Sequence, residues 1–165
     1  MPHMTEKTDS PIIPLLVVLA LAAALAGLWY IQSRQGDSDS PHASAPADCD
    51  LQQSRCRADF GDGRSIELSL SPRPIRTLAT LRIEVRTQGL NPRGAEVDFS
   101  GVEMYMGYNR PKLAPTGEAG VFAAPSMLPL CVEDSMTWHV QVLLDTPEGP
   151  VRGIFKLSTT ERGRP

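Results

Sequence analysis

From residue 57 onward the apolar side chains fall on every second position, and this alternation constrains the fold more than any other feature. Ile66, Leu68 and Leu70 alternate with Glu67 and Ser69, and Leu81, Ile83 and Val85 with Arg82, Glu84 and Arg86. Val97 and Phe99 alternate with Glu96 and Asp98. Val102, Met104 and Met106 alternate with Glu103 and Tyr105, with Gly101 placed to shift the phase as a bulge. Met136, Trp138, Val140, Val142 and Leu144 alternate with Thr137, His139 and Gln141, and residues 154–157 close the series. A period of two puts one set of side chains on one face of a strand, so each run is read as a half-buried strand.

Turn chemistry separates the runs: Gly61-Asp62-Gly63, Pro72-Arg73-Pro74, residues 88–94, residues 111–120, and Pro147-Glu148-Gly149-Pro150. About seven short strands with regular turn signals predict an all-β domain, an immunoglobulin-like antiparallel β-sandwich over residues 49–160. Residues 161–165 form a polar tail.

Residues 11–31 carry no charge and include Leu-Leu-Val-Val-Leu-Ala-Leu-Ala-Ala-Ala-Leu-Ala. About twenty helical residues cover roughly 30 Å, the hydrocarbon thickness of a bilayer. Trp29 and Tyr30 fall at the far end, where amphipathic rings favour the headgroup region. The segment is therefore read as one N-terminal transmembrane helix. Ala24-Leu25-Ala26 resembles a signal-peptidase site, but the apolar run continues past it to Ile31. Lys7 before the span and Arg34 after it give almost no orientation bias. A cysteine-bearing C-terminal domain suits export, so residues 1–10 are assigned to the cytoplasm and the domain to a bacterial periplasm, where disulfides persist. Residues 32–48, rich in Ser, Asp, Pro and Ala, are read as a flexible tether in which His42 is an exposed side chain.

Three cysteines allow at most one intramolecular disulfide in a monomer. Cys49 and Cys56 form the local pairing. Pairing of either with Cys131 is the alternative, and C-x6-C is not a zinc-ligand spacing.

Apart from Met1 and Met4, every methionine lies in two stretches, 101–113 and 127–139. They hold Met104, Met106, Met127 and Met136, together with Cys131 and His139. Thioether and thiolate are soft donors suited to Cu(I), and imidazole also binds copper. These six residues are the candidate metal ligands, with Cu(I) as the ion. The alternative for each is structural: methionine fills core gaps, and His139 lies on the face opposite Met136 if the strand is regular. Met106, beside Gly107, is read as the ligand at a loop rim and Met104 as core.

No enzyme is expected. There is no G-x-S-x-G nucleophile elbow and no phosphate-binding glycine loop. Cys131 and His139 have no third group to activate them, though a thiol-redox role for Cys131 is a weaker alternative. A net charge of −3 and a pI near 5.6 leave no basic footprint for nucleic acid.

Met104-x-Met106-Gly107, Gly120-Val121-Phe122, Leu128-Pro129, Met136-Thr137-Trp138, Val140-x-Val142, Gly149 and Phe155 resemble the layout of the YtkA-like and FixH-like membrane-anchored periplasmic domains. That resemblance implies an inner-membrane anchor through residues 11–31, an immunoglobulin-like module, copper delivery, and an oxidase or copper-trafficking protein as partner. The chain departs from the layout in its three cysteines and in Met-Thr-Trp, where a glycine would precede the tryptophan. The competing functional expectation is a metal-free, membrane-tethered scaffold of the cell envelope.

Overall fold

The computed structural model describes residues 12–34, 40–130 and 135–160. The chain divides into two compact units, one ending at Asp39 and the other beginning at Ser40. The first contains helix α1, Ile12–Arg34. Its 23 residues correspond to about 35 Å of helix. The side chains described along it, 14–27 and 29, are exposed, and most are apolar. Among the described residues no helix is long and apolar enough to cross a membrane.

The second unit is mostly β. It contains β1 (His42–Ser44), β2 (Cys56–Asp59), β3 (Ser65–Ser71), β4 (Thr80–Gln88), β5 (Gly94–Gly101), β6 (Lys112–Pro115), β7 (Val121–Met127), β8 (Ser135–Thr146) and β9 (Gly149–Thr160). They form one nine-stranded sheet in the order β1-β9-β8-β5-β6-β7-β4-β3-β2. β6 carries the sheet around a corner: Lys112 and Leu113 pair with β5, whereas Ala114 and Pro115 pair with β7. At the other side β2 lies against β1 and β9, so the sheet nearly closes on itself.

The expectation of about seven antiparallel strands is corrected in two respects. There are nine described strands, and β1 pairs with β9 in parallel, which makes the sheet mixed. The unforeseen strands β1, β2 and β6 have three or four residues each. They turn only Ala43, Cys56 and Ala58, and Leu113 inward, too few positions to display a period. β1 lies inside the stretch read as a tether. β7 contains Pro125 and two alanines, which blur its alternation.

The predicted inward faces form the core. Ile66, Leu68, Leu70, Ile83, Val85, Val97, Trp138, Val140 and Val142 are fully buried. Trp138 satisfies its indole N–H by donating to the Thr159 hydroxyl at 3.0 Å. Gly153 lets β9 approach β3: a Cβ there would lie 3.0 Å from the Phe155 ring and 3.2 Å from Ile66 Cδ1.

The near-closure leaves a seam between β2 on one side and β1 and β9 on the other. Cys49, after β1, is joined to Cys56, the first residue of β2, with Cα atoms 5.8 Å apart. Between them Leu51 is fully buried. Arg73 Nε donates to the Leu51 carbonyl at 3.1 Å.

Candidate functional site: the loop end of the β unit

β5 stops at Gly101 because the next inward space is occupied. A Cβ on Gly101 would collide with Met136 Cε and the Met104 carbonyl oxygen, and would lie 3.1 Å from Met106 Cγ. The chain therefore leaves the strand. The Val102 N–H donates to the Thr137 carbonyl at 2.9 Å, and the Glu103 carboxylate accepts the Thr137 N–H at 3.0 Å. That backbone donor, more than any nearby charge, holds the Glu103 carboxyl below its ordinary range. Gly107, at φ +81°, turns the chain back. Phe99 N–H then donates to the Asn109 carbonyl at 3.0 Å and Val97 N–H to Pro111 at 3.1 Å. The Asn109 amide ties the loop to the end of β7 by donating to the Met127 carbonyl at 3.1 Å. The β3–β4 loop joins the same end through Leu78 N–H and the Leu128 carbonyl, 2.9 Å apart.

This geometry corrects the strand read over residues 102–106 and places the other candidate residues. Val102, Met104 and Met106 do not continue a strand, since β5 ends at Gly101. Met104, read as core, is 37% exposed, while Met106, read as the residue at the rim, is half-buried and packs on the core. Met136 is core, 2% exposed, on the inward face of β8 with Trp138. His139 is exposed on the opposite face of β8, between Ser100 and Lys156, so it cannot join Met136 in one site. Met127, 51% exposed, ends β7 opposite Thr80. Cys131 lies outside the described residues, as do Glu133 and Asp134. Four methionines thus reach one end of the sheet: Met104 and Met106 on the loop, Met127 on the rim, and Met136 beneath. Among the described residues no three His, Cys, Asp or Glu side chains are grouped to hold a metal. The thioethers at this end are soft donors, suited to a soft ion such as Cu(I), and the Glu103 carboxylate lies on the same loop.

Sequence reasoning missed two features. The first is the segment holding Leu51 and Gln52; an isolated leucine in a polar stretch was its only signal. The second is an outer groove of about 540 Å³ between residues 44–50 and Val102, with Thr137, His139, Lys156 and the disulfide among its lining residues. His139 belongs to this groove.

No family model matches the chain, and no curated protein matches it. Among solved structures it is similar to a crystal structure of an engineered protein, a Northeast Structural Genomics Consortium target, with 19% identity and a TM-score of 0.43. The match covers 57% of this chain and 19% of that one. The chain therefore spans about a fifth of the length of that structure.

Proposed function

We propose that the chain is a membrane-anchored module of a bacterial envelope whose β unit binds or passes Cu(I) at its loop end. The observation that carries this is that Met104 and Met106, on the β5–β6 connection, and Met127, at the end of β7, lie at one end of the sheet that also buries Met136. Thioethers stay neutral and need no proton release to bind a soft cation. The anchor is proposed from the 23-residue backbone of α1 and the absence of charge over residues 11–31. A periplasmic place is supported by the Cys49–Cys56 disulfide. The resemblance to YtkA-like and FixH-like domains, with their immunoglobulin-like modules and oxidase or copper-trafficking partners, points the same way.

The test is competition for Cu(I) between the detergent-purified full chain and bicinchoninate. One equivalent should bind, and Met104→Leu/Met106→Leu/Met127→Leu should weaken binding by at least about tenfold, or ~1.4 kcal/mol. Binding unchanged in the triple variant would remove these ligands. Resistance of the full chain to alkaline carbonate extraction tests the anchor separately.

The burial of Met136 and the outward direction of His139 favour a second proposal, a metal-free interaction module. It predicts no stoichiometric Cu(I) binding.

A further inference from the structure

Every exposed large apolar side chain described in the β unit lies at the same end. They are Leu78, Val102, Met104, Tyr105, Tyr108, Met127 and Leu130, with Tyr105 87% and Tyr108 78% exposed. The hydrogen bonds from Leu78 to Leu128 and from Asn109 to Met127 make the three connections contiguous. Scattered apolar residues need no explanation, but a patch gathered on one rim marks an interaction surface. Exposed Arg76 and Arg82 flank it, and neither has a carboxylate partner among the described residues. Several arginines elsewhere on the unit do have one: Arg55 pairs with Glu67, Arg64 with Asp62, Arg86 with Glu84 and Glu118, and Arg93 with Asp145, while Arg73 donates to the Leu51 carbonyl.

We infer that this rim docks a partner protein presenting an apolar patch bordered by carboxylates. A second copy of the chain fits poorly, because a two-fold contact would bring Arg76 and Arg82 of both copies together. The docking surface needs neither the anchor, nor copper, nor a methionine ligand, and lipid is left as an outcome of the test.

The experiment places benzoylphenylalanine at position 105 or 108 of the full-length chain in cells of its source. The control position is 148, in the turn between β8 and β9 at the other end. The expected result is an adduct with one distinct protein from 105 and 108 and none from 148. Arg76→Glu/Arg82→Glu should lower its yield by about fivefold or more, as loss of charge complementarity at an interface requires, and Arg64→Glu should not. The adduct should persist in Met104→Leu/Met106→Leu/Met127→Leu, which separates docking from the copper proposal. Adducts to lipid, to a second copy, or to nothing would overturn the inference. So would an adduct indifferent to the two charge reversals.

Discussion

The side-chain amide of Gln52 pairs with both backbone groups of Ile75: Oε1 accepts the Ile75 N–H at 2.8 Å, and Nε2 donates to the Ile75 carbonyl at 3.1 Å. The same Nε2 donates to the Ser158 carbonyl at 2.9 Å. One side chain thus ties the segment between β1 and β2 to the β3–β4 loop and to β9. Gln52→Ala leaves these half-buried backbone groups without their partner and should cost about 1–3 kcal/mol in urea denaturation of residues 40–165. Leu51→Ala, which empties a fully buried site, should cost about 2–5 kcal/mol. A Gln52→Ala loss within experimental error would show that water replaces the amide.

Replacing Cys49 and Cys56 by Ala opens the seam. With a sequence separation of 7, the closed loop is short. Loop-closure entropy alone predicts a loss of about 2–3 kcal/mol. Parallel melts of oxidised, reduced and double-alanine protein measure it, and the last two should agree.

Gly101→Ala should destabilise the unit by about 1–3 kcal/mol, because the added methyl meets Met136 Cε and the Met104 carbonyl. Met136→Ala in the same chain should recover part of that loss by freeing one of the two contacts. A double-mutant cycle reads the coupling, and strict additivity would contradict the contact.

The Glu103 carboxylate accepts the Thr137 N–H, and its pKa is depressed. A depressed folded-state value means that the contact's stabilisation is present above the unfolded-state pKa and lost as pH falls through the folded one. The Thr137 amide should therefore be protected from hydrogen exchange at neutral pH and lose protection in acid, below the ordinary carboxylate range. Glu103→Gln, which cannot titrate, should flatten that dependence.

Thr159→Val removes the acceptor of the buried Trp138 indole N–H. The expected cost is about 1–3 kcal/mol, with a shift in tryptophan emission.

The long strands were legible because each repeats its period often enough to be read. β8 has 12 residues and alternates throughout, whereas only residues 154–157 of the 12-residue β9 were read. The short strands were not, since β1 and β6 each bury one side chain in a position that only pairing explains. At the candidate site the methionine-rich stretches share one end of the unit, but periodicity put Met104 in the core, where the structure leaves it exposed. Carrying the alternation past Gly101 ignored what Met136 does there: its methyl fills the space that another strand residue would need. No local pattern announces such a contact between residues 35 apart in sequence.

The pairing of β1 with β9, His42 opposite Arg152 through Ser44 opposite Ile154, also sets the order of assembly. The earliest strand of the unit waits for the last. During synthesis or export, β1 has no partner until β9 follows, and about a hundred residues must be held in reserve before that register can form. Cys49 and Cys56 need no such wait, because both emerge together and oxidation can join them locally. The unit should therefore acquire its clasp before it has anything to close, and finish folding only once its final strand has arrived.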